Sequence, residues 1–267
     1  MTEPGGAGFR GVRSLAGRVA VAARFLDDFD RSLPVEWCVE ELFPAASVIK
    51  IGIMSCLLEE VEKGRASLSE LVRIGAEQQV GGAGILFELE PEREYSLAEL
   101  CKLMMVVSDN TASNALVRRL GMDRLNGFWA GRGYHAVMRR YFMDPVIAGR
   151  DNQMTALAAA EMLRDLYAGR ELSAGSREFA VGCLRRQQFR EKIPSMLPES
   201  VVVGHKTGEL DGVRHDAAVV ECDRPYALVV LTAHGSPKLW AVDQAIGQLS
   251  LELYEGLKAQ LPGKARA

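Results

Sequence analysis

The chain has 267 residues, enough for one large domain or two small ones, and 48% hydrophobic with 25% charged residues is an ordinary globular composition with material for a sizeable core. Its 32 basic and 35 acidic side chains give a net charge of −3 and form no long runs, which argues against a nucleic-acid surface. Five cysteines, Cys38, Cys56, Cys101, Cys183 and Cys222, show neither Cys-x-x-Cys nor His/Cys ligand spacing and read as buried small hydrophobes.

The glycine-rich start lacks the basic segment and apolar core of a secretory leader, so the chain as written is expected in the cytoplasm, and exported only if its N-terminus is incomplete. Residues 17–26 and 35–40 read as strands, with 27–34 as the turn between them. Residues 42–58 follow, with a single ionisable charge, Lys50, between Glu41 and Glu59. The run is interrupted by Pro44 and Gly52 and falls short of the roughly 20 apolar residues of a membrane span. It predicts a buried helix that starts near Pro44, with Lys50 inside protein.

A buried ammonium needs a depressed pKa or a polar partner. Ser47 lies three residues earlier, on the same helix face and in the first turn, where free N–H groups and the helix dipole favour developing negative charge. Ser-Val-Ile-Lys is therefore read as a nucleophile and its base. In the alternative reading Ser47 merely caps the helix and Lys50 snorkels to solvent, since about one Ser-x-x-Lys is expected by chance in a chain of this length.

Residues 60–185 are mostly helical in pattern, with helices at 97–107, 111–120 and 155–167 and few strand candidates. Gly81-Gly-Ala-Gly84 reads as a tight turn, because no Gly-Lys-Ser/Thr follows it. Ser108-Asp109-Asn110 ends the helix at 97–107, where capping is the competing use. Strands return at 200–207, 213–221 and 226–232, separated by Asp211-Gly212 and Asp223-Arg-Pro225, and a helix closes the chain at 239–257. Lys206-Thr207-Gly208 ends the first of these strands, with Gly208 leaving room for a ligand backbone. Strands at both ends around a helical middle predict an α+β fold. In it an antiparallel sheet flanked by helices forms a discontinuous domain (1–45 and 186–267), and a helical domain (46–185) is inserted, with the active site at their interface.

In this order Ser47-x-x-Lys50, Ser108-Asp-Asn110 and Lys206-Thr-Gly208 make the chain resemble the class A β-lactamases and penicillin-binding proteins. The resemblance covers nearly the whole chain and implies a five-stranded antiparallel sheet with an inserted all-helical domain. It implies an acyl-enzyme on Ser47 from a small β-lactam, acyl-peptide or ester substrate, with no metal or organic cofactor. Lys50 would assist proton removal, Ser108 would protonate the leaving nitrogen, and Asn110 would bind the substrate side-chain amide. Lys206 and Thr207 would hold the substrate carboxylate. Glu209 would lend its backbone N–H to the oxyanion hole beside that of Ser47, although its carboxylate stands where the family has a small residue and would repel an anionic substrate unless turned away. Arg214 matches a carboxylate-binding arginine of some members, with an ion pair to Asp216 on the same strand face as the alternative. His215, on the other face, reads as structural. No membrane or nucleic-acid partner is expected, and a monomer is favoured.

The family's deacylating Glu-x-x-x-Asn arrangement is absent from the shorter loop at 138–155, which closes at Arg150-Asp151. Asp144, the carboxylate inside that loop, is the candidate water-activating base, unless it pairs with Arg139 or Arg140 and braces the loop. Cys101 matches a disulfide position of some members, but Cys56 is displaced from the partner position, so free thiols are expected. The expected function is a β-lactamase-like serine hydrolase. The alternatives are a penicillin-recognising esterase or D-alanyl peptidase, or a binding and sensing domain that traps an acyl group.

Overall fold

The computed structural model describes residues 17–26, 35–147, 149–233 and 239–260, so the glycine-rich start and the turn expected at 27–34 lie outside the described residues. In chain order the first half holds β1 (Arg18–Phe25), β2 (Val35–Trp37), β3 (Phe43–Pro44), α1 (Lys50–Glu62), β4 (Leu71–Ile74), β5 (Arg93–Ser96), α2 (Leu97–Val106), α3 (Asn110–Leu120) and α4 (Met122–Gly131). The second half holds β6 (Ala136–Val137), β7 (Gln153–Met154), α5 (Ala156–Ala168), α6 (Ala174–Arg185), β8 (Val202–Leu210), β9 (Val213–Glu221), β10 (Tyr226–Ala233) and α7 (Leu239–Gln260).

A five-stranded antiparallel sheet in the order β2-β1-β10-β9-β8 organises the chain, as expected. Because successive strand residues point to opposite faces, Val19, Val21 and Ala23 of β1 join Leu228 and Val230 of β10 under α7, while Ala20, Ala22, Ala227 and Val229 face the helical side. Both faces are buried, so these strands read as unbroken apolar runs rather than as polar/apolar alternation. From α7, Val242, Ile246, Leu249 and Leu253 supply the matching stripe. On the other face α5 packs across β1, β9 and β10, capped by Thr155, whose hydroxyl accepts from Ala158 N at 3.1 Å. β8 is an edge strand, and its outer side faces the Ser47 turn.

The helix expected from Pro44 starts later. Phe43 and Pro44 pair with Met154 and Gln153 as β3 and β7, the Pro44 carbonyl accepts from His215 Nε2 at 2.7 Å, and Ala45 N donates to Asn152 O at 2.8 Å. These bonds hold the chain extended up to Ala45. A 3-10 turn over Ala46–Ile49 then leads into α1. The thinly stranded stretch also contains the β4–β5 hairpin, paired from Leu71↔Ser96 to Ile74↔Arg93. Its strands of four residues, half of them exposed and only Ile74 buried, give little periodicity to find. The five cysteines are free thiols; Cys56, Cys101 and Cys183 are buried, but Cys38 is exposed and Cys222 half-exposed, which corrects the expectation of uniform burial. Cys38 has a left-handed φ of 49°, so its side chain leaves the run of the strand there. Among the described residues no helix is long and apolar enough to cross a membrane.

Candidate active site

Ser47 sits in the Ala46–Ile49 turn, entered through a left-handed Ala46 (φ 45°). That is a strained conformation for a residue with a Cβ, costing about 1 kcal/mol or more. In a 3-10 helix residues three apart eclipse one another, so Ser47 and Lys50 share a side, although the helix there is not α. The N–H of Ser47, in the first turn, has no intrahelical acceptor. Gly208 on β8 makes this turn possible. A Cβ there would lie 3.0 Å from Val48 Cγ2 and 3.2 Å from both Ala46 Cβ and Ser47 N. The space expected to admit a ligand backbone at Gly208 is thus filled by the Ser47 turn itself.

Lys50 is fully buried at the start of α1. Its Nζ donates to Ser108 O at 2.8 Å, Asn110 Oδ1 at 2.9 Å and Ser108 Oγ at 3.1 Å, and it lies 4.4 Å from the centre of the Phe142 ring. Among the described residues it makes no hydrogen bond to Ser47 Oγ, contrary to the direct contact expected. The reason is Ser108, whose left-handed backbone (φ 57°) turns both its carbonyl and its hydroxyl toward the amine. Burial first, and then the charge of Lys206, push Lys50 well below the ordinary lysine value against the opposing charge of Asp109. Once neutral, an amine keeps two N–H donors and gains a lone pair. The carbonyls of Ser108 and Asn110 can only accept, so that lone pair falls to the Ser108 O–H.

Lys206, also fully buried, donates to the same Ser108 Oγ at 3.1 Å and to Thr207 O at 2.8 Å. Burial lowers it to about 7, with Lys192 adding to the shift and Asp216 and Glu209 opposing it. Ser108 Oγ therefore bridges two amines that both release their protons more readily than a solvated lysine.

The Ser108 turn is held by Asp109, the buried N-cap of α3. Its Oδ1 accepts from Ala112 N at 2.8 Å, and its Oδ2 from Ile85 N at 2.7 Å and Leu86 N at 2.8 Å. Gly84 has to be a glycine beside it, since a Cβ there would fall 2.2 Å from Asp109 Oδ2. Asn110 Nδ2 donates to Gly81 O at 3.0 Å, so the glycine turn and α3 are laced together, and its second N–H takes no partner among the described residues. Replacing Asp109 with alanine strands three N–H groups, each costing about 1 kcal/mol or more. Asp109→Ala is thus expected to lose at least about 3 kcal/mol in urea denaturation, and a loss under about 1 kcal/mol would refute the lacing.

The loop after α4 is built by three side-chain amides that imitate strand pairing. Asn126 bonds both backbone groups of Met138, Asn114 bonds both of Phe142 (N at 2.8 Å, O at 3.0 Å), and Asn152 takes Arg139 N and Arg140 N while giving to Arg140 O. Arg140 closes the loop on Asp151 at 2.7 Å, and Arg139 reaches Asp151 O and Gln153. Neither arginine side chain pairs with the Asp144 carboxylate, because Asp151 takes Arg140, but Arg140 Nη1 still braces Asp144 through its carbonyl at 3.3 Å. The exposed Asp144 carboxylate instead accepts from Tyr141 N at 3.2 Å. Phe142, not a carboxylate, is what this loop turns toward Lys50.

At the other end of the site Glu209 and Arg214 are cross-strand partners on β8 and β9. Glu209 Oε2 meets Arg214 Nη1 at 2.8 Å and its Oε1 meets the fully buried Lys192 at 2.6 Å. Asp243 of α7 lies 3.6 Å from each cation. Arg214 does not pair with Asp216, which instead faces His205 Nδ1 at 3.0 Å and accepts from Ile193 N. His215 accepts from Thr232 N at its Nδ1, so its Nε2 carries the proton given to Pro44 O; its structural role is to anchor the approach to Ser47.

Ser47, Ser108, Asn110, Asp144, Thr207, Glu209 and Arg214 line one cleft of about 670 Å³, and Lys50 and Lys206 lie buried beside it. Sequence reasoning missed Lys192, Asp243 and Phe142. For Asp243 a signal existed, a carboxylate one turn before Ile246 on the apolar stripe of α7. For Lys192 and Phe142 none did, because only the fold brings β8 and Lys50 to them.

The chain matches the model of the Beta-lactamase enzyme family over residues 12–257. It is 29% identical over 233 residues to Beta-lactamase CTX-M-97 of Escherichia coli, an alignment spanning 85% of this chain and 79% of that one. A crystal structure of a β-lactamase from Sphaerobacter thermophilus is similar at 26% identity, with 95% of this chain and 97% of that chain covered and a TM-score of 0.86. A mutant of PBP-A, solved as an acyl-enzyme complex with penicillin G, is similar at 26% identity and a TM-score of 0.80, with 91% and 90% covered.

Proposed function

Because the chain belongs to the β-lactamase enzyme family, of the class A and penicillin-binding type, we propose that it is a serine hydrolase that carries its acyl-enzyme on Ser47. The observation behind this is Ser108 Oγ, 3.1 Å from each of two buried amines beside the cleft that contains Ser47. In the proposed cycle Ser47 Oγ attacks the carbonyl of a β-lactam, or of a related amide or ester, and its proton passes to neutral Lys50, whose lone pair turns from the Ser108 O–H to Ser47 for the transfer. The N–H groups of Ser47 and Glu209 hold the oxyanion. As the C–N bond breaks, Ser108 gives its proton to the leaving nitrogen and is reprotonated from Lys50, so the one proton lost by Ser47 balances the one the leaving nitrogen gains, and Lys50 and Ser108 return to their starting states. Asn110 holds the side-chain amide, and Lys206 and Thr207 hold the far end of the substrate. The cleft then lies between the discontinuous sheet domain (1–45 and 186–267) and the helical domain (46–185).

Release needs a water activated from the loop, and Asp144 is proposed for it, as an exposed cleft carboxylate that neither Arg139 nor Arg140 neutralises through its side chain. A second reading, a D-alanyl peptidase, an esterase or an acyl trap, is favoured by the Phe142 ring over Lys50 and by the likeness to PBP-A. Intact-mass measurement after exposure to a penicillin, with wild type and Asp144→Asn side by side, separates the two. Asp144 as the base predicts an acyl adduct that persists at least about a hundredfold longer in the variant. A lasting adduct on both would rule out Asp144 and leave the acyl trap.

A further inference from the structure

We propose that Glu209 is a built-in counter-ion standing where a substrate carboxylate would bind, so that the cleft selects acyl donors that are neutral beside the leaving nitrogen. This rests on Ser47 being acylated. It names the substrate class, which the family likeness leaves open.

Thr207 and Glu209 lie two residues apart on β8 and so on one strand face, and Arg214 faces Glu209 across the β8–β9 ladder. All three line the cleft. The Glu209 side chain is 47% exposed toward it, yet both carboxylate oxygens are taken, one by Lys192 at 2.6 Å and one by Arg214 at 2.8 Å. Lys192 is 0% exposed, so a substrate cannot reach it without displacing Glu209. Asp243 sits 3.6 Å from the same two cations. Two cations and two carboxylates leave the cluster without net charge.

Lys206 is only partly charged at neutral pH, because burial brings it to about 7. Burial alone would raise Glu209, but the Lys192 hydrogen bond and the charges of Lys192, Arg214 and Lys206 outweigh it and keep the carboxylate ionised. An incoming carboxylate would thus meet a fixed anion whose partners are already satisfied, and like charges in a partly dry cleft repel. A neutral ester or amide at the same place still has the Thr207 hydroxyl to bond and meets no repulsion.

The test measures Ser47 acylation, by intact mass against time, with penicillin G and with its methyl ester, on wild type and Glu209→Gln. Wild type should react with the methyl ester at least as fast as with the free acid. The glutamine should shift the acid-to-ester rate ratio toward the acid by about tenfold or more, the scale of one charge-assisted hydrogen bond. Both ratios are taken within one protein, so a loss of folded fraction cancels, and the wild-type ratio needs no variant. Adducts with both compounds, with the free acid preferred by wild type and the ratio unmoved by the glutamine, would overturn the role of Glu209 alone. No adduct with either compound would overturn the acyl-enzyme reading and this inference together.

Discussion

Ser47→Ala should leave no measurable turnover of a chromogenic cephalosporin, a fall of about 10⁵-fold or more, because the variant lacks the oxygen proposed to form the bond to the substrate carbon. The same variant should keep its stability within about 0.5 kcal/mol. Among the described residues the Ser47 hydroxyl makes no hydrogen bond, and Gly208 packs against the turn's backbone and against Ala46 and Val48, which the substitution leaves in place. The pairing of these outcomes separates chemistry from architecture. Unchanged turnover would end the proposed mechanism, whereas lost turnover with a collapsed melting transition would mean that the strained Ala46–Ile49 turn depends on the hydroxyl.

Much of this site was legible because its groups break local rules in the sequence. A lysine alone in the apolar stretch 42–58 was expected inside protein with polar partners, against the alternative of snorkelling to solvent, and it is buried with three hydrogen bonds. The five-stranded sheet was legible because strands buried on both faces leave unbroken runs of valine, alanine and leucine. What could not be read was direction. Spacing put Ser47 and Lys50 on one side of a helix, but the left-handed φ of Ser108 decides where the amine's hydrogen bonds go, and nothing local announces that φ. Strand alternation likewise put Arg214 beside Asp216, while the partner it takes depends on the β8–β9 register and on a cation, Lys192, outside both strands.

Lys206→Met should make the protein more stable at pH 6 and far less active. Wild type carries a fully buried ammonium there, and replacing buried charge with an apolar side chain of similar length gains about 1–4 kcal/mol when the neighbours close over it. Two hydrogen bonds are lost, to Ser108 Oγ and Thr207 O, at about 1 kcal/mol each, which places the net gain toward the lower half of that range. The pH dependence fixes the cause. The folded protein releases the Lys206 proton near 7, and the unfolded chain near the ordinary 10.5. Between those values the unfolded state binds more protons, so wild-type stability rises with pH, and below about 7 the full penalty is present. The advantage of the variant should therefore be greatest below pH 7 and shrink toward pH 10, in urea denaturation across that range. Activity should move the other way. Losing the donor to Ser108 should cost acylation about a hundredfold or more. Removing the Lys206 charge also lifts one of the causes that depress Lys50, so its base form appears only at higher pH and the acid limb of the residual acylation profile shifts upward. A variant less stable than wild type at every pH, with that limb unmoved, would show that Lys206 is held here as a structural strut and not at the expense of stability for its chemistry.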